Sequence, residues 1–176
     1  RTGTPLVVCT TGHTEEELNI IDRAAEQIPI FRSANMSLGV NLMVSLCQKA
    51  AQILGESFDI EIIEKHHNKK IDAPSGTALM IADEISETID DNITYTYDRH
   101  SQRKKREKQE IGIHAVRGGT IVGEHDVIFA GNDEIIEIKH TATSKEIFAI
   151  GAIKAAVFMN NKPAGMYSMK HLIEEV

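Results

Sequence analysis

Cysteine is scarce in this chain: two among 176 residues, Cys9 and Cys47, each set in an apolar pattern. Two such thiols do not make the disulfide framework of a small secreted domain, and a reduced, cytoplasmic setting is the expectation. Long apolar runs are missing as well. None reaches the ~20 residues a helix needs to cross a bilayer, and no charged-then-apolar signal segment opens the sequence. Excess positive charge is also absent. Nineteen Lys and Arg face 26 Asp and Glu, and a net charge of −7 argues against a general nucleic-acid binder. Neither an internal repeat nor a low-complexity stretch occurs, which excludes a solenoid and a disordered tract.

What is present suits one domain, or one domain and part of another, with 41% hydrophobic residues to build a core. The opening RTGTPLVVCTTG has no initiator Met and enters a strand-like run almost at once. The expectation is a piece whose upstream part is missing.

Residues 6–10, LVVCT, read as a short buried strand. Thr14 and Glu17 form a capping box for a helix that Pro29 ends, and IPIFRSA reads as a second strand. Strand, helix and strand in that order are the rhythm of a parallel Rossmann-type α/β sheet. Ser37 then caps a longer helix, predicted to bury Leu38, Leu42, Leu46 and Ile53 and to close at Gly55. A second rhythm follows. Phe58, Ile60 and Ile62 alternate with Asp59 and Glu61 as in a half-buried strand. Residues 75–89 form an amphipathic helix burying Ala78, Ile81, Ala82, Ile85 and Ile89. Three more strands, IGIHAVRGG, HDVIFA and EIIEIKHTA, follow, the last two joined by a loop at 131–133. Thr143 and Glu146 are read as a capping box for a helix over 147–159, apolar on nearly every face and expected to pack on that sheet.

The predicted fold class is therefore α+β: a mixed sheet of about four strands packed on helices, preceded by the last strands of a Rossmann-type domain. Expected boundaries are 1–34 for that remnant, 35–162 for the second domain, and 163–176 for a tail returning to the first.

The densest chemistry lies in EKHHNKKIDAPSGTA, residues 64–78. His66 and His67 end a strand, so they point to opposite faces and do not ligate one metal together; no metal site is expected. Ser75 is the expected N-cap of a helix starting at Gly76 and Thr77, whose backbone N–H groups and dipole favour an anion. Gly76 allows close approach of a ligand, and Lys70 adds a point charge. An ordinary capped helix would use the same residues. Read functionally, a histidine, a lysine and an anion cradle suit proton transfer on a small carboxylate.

CTTGHT (9–14) and SANMS (33–37) end the first two strands, where α/β sheets bind ligands. The run RKKREK (103–108) reads as a solvated loop, whereas Arg117, beside two glycines, can reach a carboxylate from a tight turn. His114, His125 and His140 are read as structural, His13, His100 and His171 as surface residues, and Cys47 as buried and inert.

EKHHNKKIDAPSGTA, with LVVCTTG, SANMSLGVNLM and IGIHAVRGGTIVGEHDVIFAG in the same order and spacing, resembles the 4-hydroxy-tetrahydrodipicolinate reductase (dihydrodipicolinate reductase) family over essentially the whole chain. The resemblance implies His66 as catalytic histidine and Lys70 as catalytic lysine or proton donor. It implies His67 as a substrate contact, and Gly76 and Thr77 as the pair holding a substrate carboxylate. Cys9, Thr10 and Thr11 fall where the family meets the nicotinamide half of NADH or NADPH, and Ser33, Ala34, Asn35 and Met36 on a second cofactor strip. It further implies reduction of 4-hydroxy-tetrahydrodipicolinate in diaminopimelate and lysine biosynthesis, by a homotetramer assembled through the second-domain sheets. Cys9 replaces the usual Gly, and Met36 stands where an aromatic is common. The phosphate loop and ribose reader of the dinucleotide fold do not occur in these residues, so weak cofactor binding and turnover are expected of this chain alone. Two other readings are a semialdehyde-type dehydrogenase, which lacks a cysteine near the His-His motif, and a non-catalytic carboxylate-binding or assembly module.

Overall fold

Apolar spacing of two and of about 3.6 residues alternates along the chain, and the computed structural model shows the strands and helices that result. It describes residues 3–89 and 92–175. Residues 1, 2 and 176, at the ends of the expected first segment and tail, lie outside the described residues. The first half holds β1 (Leu6–Val8), α1 (Glu15–Ala25), β2 (Pro29–Arg32), α2 (Leu38–Leu54), β3 (Asp59–His66) and α3 (Gly76–Ile89). The second half holds β4 (Thr94–Thr96), β5 (Glu110–Arg117), β6 (Gly123–Ala130), β7 (Ile135–Ala142), α4 (Glu146–Phe158), β8 (Gly165–Tyr167) and α5 (Met169–Glu174).

These elements form two compact units, one of Arg1–Asn41 with Lys145–Val176, the other of Leu42–Ser144. In the first unit, β1, β2 and β8 make a parallel three-stranded sheet in that order. The helix between β1 and β2 starts at the capping box: Thr14 N–H donates to Glu17 Oε2 at 2.9 Å, and Glu17 N–H to Thr14 Oγ1 at 3.3 Å. Phe31, Met36, Ala155, Met159, Met169 and Leu172 form this unit's core.

The second unit carries a five-stranded mixed sheet in the order β4-β5-β3-β6-β7. In it β3 runs parallel to β5 and antiparallel to β6. The extra strand over the expected number is β4, too short for a pattern of its own. Strand β3 alternates strictly, burying Ile60, Ile62, Glu64 and His66. Ala78, Ile81, Ala82 and Ile85 of α3 are fully buried in the same core as Ile60 and Ile62. Each large side chain so buried contributes about 1.5–3 kcal/mol of transfer free energy.

Sequence expectations about α2, α4 and the basic run are corrected. In α2 the buried residues are Val40, Met43, Val44, Cys47 and Ala51, while Leu42, Leu46 and Ile53 are exposed. This helix is apolar around most of its circumference, so spacing alone does not choose the face. Helix α4 groups with the first unit, not with the five-stranded sheet, and Ile150, Ile153 and Val157 are exposed on it. Its buried positions are the small ones, Gly151 and Ala155, four residues apart. A Cβ at Gly151 would lie 1.7 Å from the Met36 carbonyl oxygen, so only glycine permits that approach. Its N-cap residue is Lys145, which makes no side-chain cap bond, and the Thr143–Glu146 box is not formed.

The third correction concerns the basic run. Arg106 leaves the solvated loop and donates to Asp59 Oδ1 at 3.0 Å, to Glu61 Oε1 at 3.1 Å and to the carbonyls of Ile60 and Glu110. It ties the loop to β3 and β5. The expected boundaries at 34 and 163 also differ from this division, because α2 runs on from the first unit into the second and α4 belongs to the first.

Candidate active site

Period-two alternation places Glu64 and His66 on the inner face of β3, two and four residues beyond Ile62. Glu64 is fully buried, and a buried carboxylate needs donors. It has four. Arg117 Nη1 and Nη2 donate to Oε2 and Oε1, each at 2.7 Å, Ser75 N–H donates to Oε1 at 2.9 Å, and His66 Nδ1 lies 2.6 Å from Oε2. Burial alone would raise the Glu64 carboxyl, but the hydrogen bonds from Arg117, His66 and Ser75 outweigh it and hold it below the usual carboxylate range. Glu64 is thus ionised at neutral pH.

Arg117 reaches this position because β5 runs parallel beside β3 and pairs Arg117 with His66 in register. The chain then turns, with Gly118 N–H donating to His66 O at 2.9 Å and Asn68 N–H to Gly119 O at 3.2 Å. Gly119 has φ +49°, a conformation that favours glycine. Arg117 Nη2 also donates to the Asp72 carbonyl at 2.6 Å, which fixes the loop ahead of α3.

Ser75 is the N-cap of α3: its hydroxyl accepts from Ala78 N–H at 3.1 Å, and its carbonyl from Leu79 N–H at 3.1 Å. The same hydroxyl lies 3.0 Å from His125 Nε2, and the His125 ring stands edge-on to His66 at 5.3 Å between centroids. A Cβ at Gly123 would come to 3.1 Å from His66 Nε2, so that nitrogen lies over the glycine. At Gly76, in contrast, an added Cβ meets nothing within 4 Å.

The structure therefore gathers His66 with the start of α3, where Gly76 and Thr77 lie. Lys70 is paired with Asp72, Nζ to Oδ1 at 2.8 Å, a bond that lowers the Asp72 pKa. His67 is half-buried, its Nδ1 is buried without a hydrogen-bond partner, and its carbonyl accepts from Lys70 N–H at 3.1 Å. Neither His67 nor Lys70 is hydrogen-bonded to His66 among the described residues. Sequence reading missed Glu64 and the part played by Ser75 and His125. The alternation that found Ile60 and Ile62 carries on to Glu64, and that was the available signal.

In the first unit, Cys9, Thr11, Ser33, Ala34, Asn35 and Met36 line a cavity of about 530 Å³ at the carboxyl ends of β1 and β2. Phe148, Ala149 and Ala152 of α4 complete its wall, a contribution no strand-end motif announces. Thr10 is exposed and not in the lining. Asn35 Oδ1 accepts from Ser37 N–H at 2.8 Å, so this side chain also shapes the turn into α2. Cys47, deep in the other unit's core, has its thiol pushed up to about 12 by burial, and it stays protonated.

The family description "Dihydrodipicolinate reductase, C-terminus" matches residues 39–173, and "Dihydrodipicolinate reductase, N-terminus" matches residues 1–36. The chain belongs to the dihydrodipicolinate reductase family. It is 60% identical to the 4-hydroxy-tetrahydrodipicolinate reductase of Clostridium tetani over 94% of this chain and 64% of that protein. With the enzyme of the same name from Caldanaerobacter subterraneus subsp. tengcongensis it shares 57% identity, over 97% of this chain and 68% of that one. Among solved structures, the dipicolinate-bound dihydrodipicolinate reductase of Paenisporosarcina sp. TG-14 superposes with a TM-score of 0.74 at 26% identity. That match covers 93% of this chain and 62% of the other. The chain thus spans 64–68% of the length of these two reductase-family relatives. The family and the fold expected from EKHHNKKIDAPSGTA and its neighbouring motifs are those found.

The cluster around Glu64 has a pH signature of its own. Burial first, then the neighbouring His66, lowers the His125 pKa from its ordinary 6.5 to about 4. Between these values the unfolded chain binds the extra proton, so His125 removes stability as pH falls from 6.5 toward 4. Urea unfolding of His125→Gln should therefore lose about 2 kcal/mol less than the parent chain between about pH 7 and about pH 5. Equal losses in the two proteins would contradict the buried neutral imidazole.

Proposed function

We propose that this chain supplies the substrate-handling part, and the nicotinamide-side strip, of a 4-hydroxy-tetrahydrodipicolinate reductase of diaminopimelate and lysine biosynthesis. The observation that carries the reading is one carboxylate, Glu64, holding both the His66 ring and the Ser75 N–H at the start of α3. A titratable ring and an anion-attracting helix start are thereby fixed to the same point.

In the proposed reaction 4-hydroxy-tetrahydrodipicolinate, NAD(P)H and a proton give tetrahydrodipicolinate, NAD(P)+ and water, the nicotinamide supplying the hydride. The chain's own residues bind and move the proton. One substrate carboxylate sits at the start of α3, where Gly76 leaves open space and the helix dipole favours negative charge. Thr77, Lys70 and His67 add polar and cationic contacts. His66 delivers the proton through Nε2, with Lys70 as the second acid. Cys9, Thr10 and Thr11 would hold the nicotinamide half of NADH or NADPH, and residues 33–36 the second cofactor strip. A small, mostly apolar cavity with Thr11 and Ser33 in its lining suits an aromatic carboxamide. No glycine-rich phosphate loop occurs in these 176 residues, so this chain alone is assigned weak turnover. We also infer a homotetramer formed through the mixed sheet, supported by exposed Val116 and Ile135 on the face away from the core.

Dipicolinate, a planar dicarboxylate, should raise the melting temperature of the chain. Gly76→Val should keep the unliganded melting temperature, because its side chain enters open space, and lose the dipicolinate shift. Lys70→Ala should weaken it at least tenfold in ligand concentration, on the order of 1.4 kcal/mol. Absence of any shift in the parent chain removes the proposed substrate pocket. Light scattering of the same samples should give a tetramer; a monomer at all concentrations counts against assembly through the sheet.

A further inference from the structure

The proposed reaction calls for a histidine whose working nitrogen is defined by its surroundings. Of the two nitrogens of His66, Nδ1 lies 2.6 Å from Glu64 Oε2, while Nε2 lies over Gly123. The tautomer of a neutral imidazole follows from the bond its other nitrogen makes. Here that partner is an ionised carboxylate. Its oxygens already accept three N–H groups, two from Arg117 and one from Ser75, so it has no proton to give. Nδ1 must then be the donor.

We propose that Glu64 is a positioning residue that locks His66 in the Nδ1–H tautomer, with Arg117 keeping Glu64 ionised and in place. This leaves Nε2 as the only nitrogen of His66 that accepts or releases a proton toward a bound ligand. Arg117, which the sequence offered as a direct ligand for a carboxylate, binds the protein's own. Ser75 makes the lock sensitive to the helix start, because its N–H shares Oε1 with Arg117 Nη2. The inference rests on the proposed role of His66, but its test does not.

Long-range ¹⁵N–¹H correlation of the histidine rings, at about pH 8 where free imidazoles are neutral, reads the tautomer directly. The His66 signals are assigned by their loss in His66→Gln. The expected pattern is a pyrrole-like Nδ1 and a pyridine-like Nε2 in the parent chain. In Glu64→Gln, whose amide presents an NH₂ or a neutral carbonyl in place of the carboxylate, the Nδ1–H form should fall to a mixture or be lost. A protonated Nε2 in the parent chain overturns the proposal without any variant being needed. An unchanged Nδ1–H pattern in a folded Glu64→Gln protein overturns Glu64 as its cause. Dipicolinate binding does not enter these outcomes, so failure of the proposed function is recognised separately by the absent thermal shift.

Discussion

The ion pair between the buried Glu64 and Arg117 is the constraint on which the rest of the second unit's site depends. Placing a carboxylate inside a sheet carries a desolvation cost of several kcal/mol, and the two-point bond from a planar guanidinium is the geometry that offsets it. Parallel pairing of β3 with β5 brings the two strand ends side by side, so the pair follows from topology as much as from sequence. Once made, it fixes the Asp72 carbonyl, the Ser75 N–H and the His66 ring. A helix start, a strand end and a loop are held by one group. The imidazole orientation is therefore a property of the fold and needs no ligand to set it.

Much of this was legible in the sequence. Alternation over residues 58–62 and the three- and four-residue spacing in 75–89 give β3 and α3, and the His-His–Lys–Pro-Ser-Gly-Thr string marks the family. Arg117 beside two glycines was seen as an arginine able to reach a carboxylate. Which carboxylate it reaches was not legible, because that depends on which strands pair. His125 looked like an ordinary strand histidine for the same reason; only the β3–β6 pairing brings its ring against His66.

The failures share a physical cause. Helices α2 and α4 are apolar around most of their circumference, so periodicity gives no preferred face. In α4 the small side chains meet a neighbour and larger ones stay outside, with Gly151 against the Met36 carbonyl, whereas α2 buries Val40, Met43 and Val44 together with Cys47 and Ala51. In α4, close approach of backbones chose the face, not side-chain size. The same choice puts Phe148, Ala149 and Ala152 into the wall of the cavity that Cys9, Thr11 and residues 33–36 line. A sequence reading confined to strand ends does not find them.

The central claim is that Glu64 and Arg117 act as one unit. A double-mutant cycle of unfolding free energies, using Glu64→Gln, Arg117→Met and the pair together, measures that most directly. Removing Arg117 leaves Glu64 charged and fully buried, at about 3–5 kcal/mol, whereas removing both leaves no stranded charge. The account predicts a coupling of about 3 kcal/mol, with the double variant no less stable than either single one. Strictly additive losses would show that the two residues hold the site independently and would contradict it.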